Sequence, residues 1–145
     1  MEWRTASAAE VAVLADMNRQ LREDEAPLAE PLNVDFERRM RGWLAGEYSA
    51  VLFEVDGRPV AYALWRDNEG RSIYLRQFFV DRTLRRRGLG RQAIALLLRD
   101  VLPPGTDITL EVLEQNPGGF AFWKALGFGD YARTLVRRSV APSAL

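Results

Sequence analysis

The feature that most constrains the fold is the stretch from Phe78 to Arg91, where an apolar segment leads through an arginine-rich turn with two glycines into a helix. Glycine lets the backbone approach a ligand closely, and the first N–H groups of a helix lack partners within it. The positive end of the helix dipole attracts anions, and five arginines fall within residues 82–91. This order of residues predicts a phosphate-binding loop. The alternative is that the arginines only form a solvated surface.

Composition limits the chemistry that the chain can perform. Its 145 residues have the length of one ordinary domain, and 48% hydrophobic with 28% charged residues is typical of a globular chain. We therefore expect a single domain over residues 1–145. The absence of cysteine and histidine excludes disulfides and thiolate catalysis and removes the usual base near neutral pH. We expect no metal site, and catalysis must use carboxylates, hydroxyls, backbone groups or a bound cofactor.

Charge is balanced overall but unevenly placed along the chain. The net charge is zero, yet residues 82–91 contain only basic charges, whereas residues 10–30 lean acidic. A balanced total argues against nucleic-acid binding, for which a broadly basic domain is expected. A basic turn opposite an acidic region suits an anionic cofactor that meets a cationic substrate. No apolar run is long enough for a bilayer and no signal-peptide pattern is visible, so we expect a cytoplasmic protein without membrane contact.

The N-terminal part of the chain predicts a strand and two helices. Residues 3–6 favour a strand, and a Ser-x-x-Glu capping box follows at Ser7. Apolar residues at helical intervals then extend to about residue 23. Two prolines predict a loop over residues 24–33, and a second helix follows from about Val34.

The middle of the chain predicts a meander of three strands. Residues 48–55 and 60–65 flank Asp56-Gly57, which is a strong signal for a hairpin turn. Residues 73–80 form the third strand, and their near-continuous apolar character suits a central position in a sheet.

Beyond the arginine-rich turn the pattern changes to a helix, a strand, a short helix and a final strand. The helical crossover makes the strand over residues 107–113 parallel to the strand before the helix. Asn116, followed by a proline, predicts a helix N-cap. A short helix over residues 120–126 and a strand over residues 128–140 complete the chain.

Two of these segments match motifs of one known family. The Gln/Arg-x-x-Gly-x-Gly/Ala motif is matched by Arg85-Arg86-Arg87-Gly88-Leu89-Gly90. A later Asn and a Phe-Tyr-x-x-x-Gly-Phe pattern correspond to Asn116 and to residues 122–128, Phe-Trp-Lys-Ala-Leu-Gly-Phe. Along essentially its whole length the chain resembles the Gcn5-related N-acetyltransferase (GNAT) superfamily. This resemblance implies an α/β (α+β) fold with a central mixed, mostly antiparallel sheet of six to seven strands, flanked by about four helices.

The resemblance also implies acetyl-CoA as the co-substrate. Its pyrophosphate would sit on backbone N–H groups of residues 86–91, where Gly88 and Gly90 keep Cβ atoms away. Backbone groups of the preceding strand would bind the pantetheine arm like an added strand. Asn116 would either reach the same arm or serve only as a helix cap. The residues that the resemblance assigns to the cofactor are Phe78, Val80, Arg85, Arg86, Arg87, Gly88, Leu89, Gly90, Arg91 and Asn116.

The chemistry that the resemblance implies is direct attack of an amine on the thioester in a ternary complex, with a backbone N–H near Val80 polarising the carbonyl. Several family members use a carboxylate on the fourth strand as the base, whereas this chain offers Gln77 and Arg76 nearby, so that role does not transfer. The base could instead be Glu111, or Asp24 or Glu25 from the acidic loop.

A second departure concerns the residue that protonates the leaving thiolate. The family tyrosine is replaced here by Trp123, whose indole N–H is too weak an acid for that task. Tyr131, Tyr74 or water could take its place. The candidate catalytic residues are thus Glu111 and Tyr131, and the candidate substrate-binding residues are Asp24, Glu25, Gln77 and Trp123.

Three functions are consistent with the sequence. The first is an N-acetyltransferase that acts on a primary amine of a small molecule or peptide. The second is a catalytically degenerate protein that binds acyl-CoA without turnover. The third is a nucleic-acid-binding domain, against which the zero net charge argues. The acceptor amine, the preferred acyl chain and the oligomeric state, including a homodimer, are left open by the sequence.

Overall fold

The computed structural model describes residues 1–25 and 34–139 of the chain. Five strands are present in this part: β1 (Glu2–Thr5), β2 (Tyr48–Val55), β3 (Arg58–Asp67), β4 (Ser72–Val80) and β5 (Asp107–Thr109). The α-helices there are α1 (Val11–Glu25), α2 (Phe36–Ala45), α3 (Leu89–Leu96) and α4 (Pro117–Ala125). Short 3₁₀ turns span Ala8–Glu10 and Arg82–Leu84, and α3 continues as a π turn over Leu97–Val101.

The chain separates into two compact units, Met1–Gln115 and Asn116–Leu145. The first contains the sheet with α1, α2 and α3, and the second contains α4. That residues 1–145 form one domain remains a prediction. No helix within residues 1–25 and 34–139 is both long and apolar enough to cross a membrane.

The strands form one sheet in the order β1-β2-β3-β4-β5. All neighbours are antiparallel except β4 and β5, which are parallel as the helical crossover predicted. The mixed, mostly antiparallel α/β architecture is therefore confirmed.

The strand count differs from the prediction, because the described residues hold five strands and not six to seven. β5 covers three residues in place of the predicted 107–113. Residues 128–139 form no strand, although 128–140 was predicted as one. Leu135 and Val136 in that segment are 88% and 66% exposed. Strand preference depends on packing against neighbours, so an apolar sequence without burial does not specify a strand.

Local signals near the chain start and at the hairpin are confirmed. Asp56 and Gly57 both adopt positive φ, 52° and 76°, as the turn between β2 and β3 requires. Ser7 forms the predicted capping box: its backbone N–H donates to the Glu10 carboxylate at 2.6 Å. The second helix starts two residues later than predicted, because the side chain of Asp35 caps it by accepting from the Arg38 N–H at 3.0 Å.

The core lies on both faces of the sheet. On one face α1 and α2 pack over β2, β3 and β4, with Leu14, Met40 and Tyr62 fully buried in the shared cluster. α3 contacts β3 and β4, and its inward residues Ile94 and Leu97 are buried. We call the side of the sheet that α1 and α2 cover the α1–α2 face.

Along part of β4, one edge has no neighbouring strand among the described residues, because β4 and β5 diverge. β4 pairs with β3 as far as Val80 but with β5 only over Ser72–Tyr74. Within the described residues, the part of β4 beyond Tyr74 thus has a partner strand on one side alone. The pairing with β3 also shifts here, because Leu64 faces Gln77 while Trp65 faces Leu75, which leaves Arg76 as an extra, bulged residue. We call this stretch, residues 75–80, the open edge of β4.

Candidate active site

The turn after β4 is held in shape by its own side chains. Asp81 Oδ1 accepts hydrogen bonds from the Thr83 backbone N–H at 2.9 Å and from the Thr83 hydroxyl at 2.7 Å. Arg86 then adopts a left-handed φ of 65°, an uncommon conformation for a non-glycine residue. Such strain is found where a local structure is fixed for a purpose, so the turn is a candidate binding site.

Gly88 sets the start of α3. It is the N-cap with φ 73°, and it forms no side-chain capping bond. A Cβ atom built on Gly88 meets no atom within 4 Å, so it would point into open space beside the turn. The N-terminus of α3 is therefore not capped by its own N-cap side chain, and its dipole favours an external anion. Leu89 and Gly90 form the first turn of this helix and are half-buried.

The five arginines of the turn divide into two groups. Arg82 and Arg85 pair with carboxylates at the end of α1. Arg86, Arg87 and Arg91 are exposed and, among residues 1–25 and 34–139, have no carboxylate within 4.0 Å. These three side chains are the ones left to meet an anion at the turn.

The backbone of the open edge points in a known direction. The Asp81 N–H donates to the Val60 carbonyl of β3 at 2.8 Å. Backbone groups alternate along a strand, so those of Val80 and Phe78 point to the opposite side, toward the open edge. Arg85 Nε donates to the Val80 carbonyl there at 3.2 Å. The predicted pantetheine-binding residues thus direct their backbone groups toward the open edge of β4.

The acidic end of α1 is already engaged by this turn. Asp24 accepts from Arg82 at 3.1 Å and from Arg85 at 2.8 Å, and Glu23 accepts from Arg82 at 3.2 Å. Glu25 is half-buried instead, and burial raises the pKa of its carboxyl, against the opposing charges of Arg22 and Arg39. The sequence showed both charged regions; the structure shows that they pair with each other.

Gln77 lies inside the α1–α2 face. Its side chain is 9% exposed, and its Oε1 accepts a hydrogen bond from the Tyr62 hydroxyl at 2.8 Å. Tyr62 is fully buried, and that burial raises the pKa of its phenol far above the ordinary range. The Gln77 amide therefore takes part in a neutral, buried hydrogen bond at the position where many family members carry a carboxylate.

Glu111 and Tyr74 come together on the α1–α2 side of the diverging strands. The Tyr74 hydroxyl donates to Glu111 Oε1 at 3.3 Å, and Glu111 is exposed. Burial, and secondly the charge of Glu111, raise the pKa of the Tyr74 phenol. The sequence had proposed both residues separately, one as a base and one as an acid. Their contact was not predictable, because β5 ends earlier than expected.

A cluster of arginines on aromatic rings was missed from the sequence. The guanidinium carbons of Arg39 and Arg76 lie 4.5 Å and 5.0 Å from the centre of the Trp43 ring. Arg76 Nη1 donates to the Tyr48 hydroxyl at 3.1 Å, and Arg39 Nη2 donates to Asn18 Oδ1 at 3.2 Å. The only sequence signal was that a polar residue on a predicted central strand, such as Arg76, needs a partner.

The remaining candidates lie in the second unit. Asn116 caps α4 as predicted, with Oδ1 accepting from the Gly119 N–H at 3.0 Å. A Cβ atom at Gly119 would lie 2.5 Å from Asn116 Nδ2, so only glycine fits beside this cap. Trp123 packs edge-on against two phenylalanine rings of its own unit. Tyr131 is 90% exposed.

Comparison with known proteins identifies the family. A model of the acetyltransferase (GNAT) family matches residues 14–128. This match covers well over half of the chain, and the chain therefore belongs to the GNAT acetyltransferase family. No curated protein sequence matches it.

Solved structures show the same fold. A mutant of the BH1408 protein of Bacillus halodurans superposes with a TM-score of 0.76 at 18% identity, over 97% of this chain and 100% of that one. The aminoglycoside N-acetyltransferase AAC(6')-Iy in complex with CoA gives 0.73 at 18% identity, over 97% and 95%. A protein of Clostridium acetobutylicum described as a predicted acetyltransferase, solved with acetyl-CoA, gives 0.69 at 20% identity, over 94% and 95%. At these identities the likeness establishes the fold alone.

Proposed function

We propose that this protein is an acetyl-CoA-dependent N-acetyltransferase that acetylates a primary amine of a small molecule or peptide. The observation that carries the proposal is the open edge of β4, which leads directly into the glycine-capped start of α3. Neighbours of the same fold were solved with CoA or acetyl-CoA, which supports the same ligand here. Membership of the GNAT family supports the acetyl-transfer reaction.

The residues around the turn fit this co-substrate. The backbone of residues 86–91 and the N-terminus of α3 would bind the pyrophosphate, and the exposed guanidinium groups of Arg86, Arg87 and Arg91 would add charge. Arg85 and Leu89 would contribute through their backbone, since the Arg85 side chain is held by Asp24. The backbones of Phe78 and Val80 would bind the pantetheine arm. Asn116, which caps α4, remains a candidate for the cofactor by resemblance to the family motif.

Acetyl-CoA supplies the acetyl group as a thioester, which the acceptor amine attacks directly. The Val80 N–H, directed to the open edge, would polarise the carbonyl. Glu111 would take the proton of the amine, directly or through water, since it is exposed and is held by the Tyr74 hydroxyl. The departing thiolate would be protonated by Tyr131, by Tyr74 or by water. The absence of cysteine excludes an acyl-cysteine intermediate.

Turnover of acetyl-CoA against a panel of amines tests the proposal. The panel contains aminoglycosides, amino acids, peptides and simple amines, and the release of free CoA thiol is followed. We expect turnover with at least one class of acceptor. CoA binding with no turnover across the panel would overturn the proposal and assign the chain to the degenerate, acyl-CoA-binding alternative.

A further inference from the structure

Two arginines of the α1–α2 face share one aromatic ring. Arg39 on α2 and the bulged Arg76 on β4 both place their guanidinium carbons within 5.0 Å of the centre of the Trp43 ring. Arg76 also lies 5.7 Å from the Tyr48 ring centre. Stacking on aromatic rings fixes the planar guanidinium groups in place, so their N–H groups are oriented before any ligand arrives.

This pair of charges is not neutralised by a neighbouring acid. In the described part of the chain, neither Arg39 nor Arg76 has a carboxylate oxygen within 4.0 Å, and their hydrogen-bond acceptors are the neutral Asn18 amide and Tyr48 hydroxyl. Burial, and then the like charges of Arg22 and Arg76, lower the pKa of Arg39. Two positive charges held close together, of which Arg39 is partly buried, favour the binding of an anion.

Unused donors in the same cluster point to a ligand independently. Asn18 is fully buried, and among the described residues its Nδ2 makes no hydrogen bond of good geometry, although the Asn18 side chain is close enough to Tyr62 to hydrogen-bond to its phenol. Within the same residues, Arg39 Nε is also buried without a partner. The negative charge of Glu25 acts to raise the pKa of Arg39, but the two side chains are too far apart to form an ion pair. The two nitrogen atoms, Asn18 Nδ2 and Arg39 Nε, are both hydrogen-bond donors. They therefore suit an anion, which only accepts hydrogen bonds.

The cluster lies beside the place where acetyl transfer would occur. Arg76 is the bulged residue on the open edge, two positions beyond Tyr74, where the pairing of β4 with β5 ends. A strand rises about 3.3 Å per residue, so the Val80 backbone lies roughly 13 Å further along β4. A ligand bound by its anion at Arg76 would reach the Val80 backbone only if its amine were several bonds away.

We infer that the acceptor carries a carboxylate several bonds from its amine, and that Arg39, Arg76 and Asn18 bind this carboxylate. The inference rests on the proposed function and narrows its substrate class to ω-amino acids and acidic or C-terminally free short peptides. It reverses the expectation of a purely cationic acceptor, because the acidic end of α1 is engaged by Arg82 and Arg85.

Matched acceptors with and without the carboxylate test the inference. The pairs are γ-aminobutyrate with propylamine, ε-aminocaproate with pentylamine, and a glycine-rich dipeptide with its C-terminal amide. Charge-assisted hydrogen bonds predict that kcat/KM favours the carboxylate member by about 10-fold or more, chiefly through KM. Aminoethyl phosphate serves as a further arm, and a clear preference for it would assign the site to phosphate and overturn the carboxylate.

Two substitutions test whether this cluster causes the preference for carboxylate-bearing acceptors. Arg76→Leu, at an exposed position, and Arg39→Met should each reduce the carboxylate preference to near unity without changing CoA affinity. Arg41→Leu on the same helix is the control, since its guanidinium pairs with Glu37 on the outer surface, and it should keep the preference. A preference that survives Arg76→Leu would overturn the assignment even if the Arg39 variant failed to fold.

A binding measurement separates this inference from the proposed function. Glutarate has the carboxylate but no amine, so its stabilisation of the protein against heat does not depend on turnover. We expect glutarate to raise Tm in the wild-type protein but not in Arg76→Leu. Turnover without carboxylate preference would overturn the inference alone. A lack of all turnover with intact glutarate binding would overturn the proposed function alone.

Discussion

The acidic side chains of this protein differ in what their surroundings leave them able to do. Asp24 is held by two arginines at the turn, and Glu25 is half-buried with a raised pKa. Glu111 is exposed and accepts a hydrogen bond from the Tyr74 hydroxyl. A general base must reach the proton that it removes, so accessibility ranks Glu111 first among the three.

Replacing Glu111 by glutamine tests this ranking. Glutamine keeps the size and the acceptor for the Tyr74 hydroxyl but cannot take a proton at neutral pH. We expect Glu111→Gln to lower kcat by about 10²–10⁴-fold, the usual contribution of a general base, while the Kd of CoA stays the same. Glu114→Gln, three residues away at another exposed position, is the control. An unchanged kcat in Glu111→Gln would mean that water or another residue receives the proton.

At the scale of elements, the start of α3 was the most predictable part of the site. Its signals are local, because Gly88 supplies the positive φ and the helix follows at once. The end of the same helix was less predictable. A π turn, in which the Leu102 N–H donates to the Leu97 carbonyl at 2.9 Å, shifts the helical phase. Leu98, which lies within this turn, is 47% exposed.

The start of α3 favours negative charge, so a substitution there can test CoA binding without disrupting the fold. In Gly90→Asp a carboxylate joins the first turn of α3, where it interacts favourably with the helix dipole, so the variant should fold. The same carboxylate would occupy the place of the pyrophosphate and repel its negative charge. We expect the affinity for CoA, measured by calorimetry, to be abolished.

Gly90→Asn separates charge from bulk in this experiment. Asparagine matches aspartate in size, so a larger loss in Gly90→Asp reports the added negative charge. A folded Gly90→Asp protein with wild-type affinity for CoA would show that the pyrophosphate binds elsewhere.

At the scale of the whole molecule, the sequence predicted what depends on neighbouring residues and missed what depends on distant ones. The strand meander, the parallel crossover and the glycine turn follow from periodicity and turn residues. The pairing of Asp24 with Arg85 joins residues 61 positions apart, and Asn18 meets Arg39 across 21. Such contacts are set by packing, which a single sequence does not display. The predicted strand over residues 128–140 failed for the same reason over its described part, residues 128–139, where Leu135 and Val136 are exposed.

Hydrogen exchange can test the binding mode over the whole chain in one experiment. If CoA lies along the open edge and on α3, its addition should slow exchange of the Phe78 and Val80 amides and of residues 86–91. The amides shared by β1 and β2 are already paired and should not change. Protection confined to residues 86–91 would support the phosphate site but contradict strand-like binding of the pantetheine arm.

The open edge of β4 also bears on how the protein behaves without a ligand. A sheet edge with unsatisfied backbone groups is a template for pairing with another chain, and natural proteins protect such edges with charged side chains. Arg85 does this here, because its Nε covers the Val80 carbonyl while its Nη2 is anchored to Asp24. Arg85, which belongs to the predicted phosphate motif, therefore also covers a backbone acceptor at which another chain could pair, and CoA bound as proposed would fill the rest of the edge.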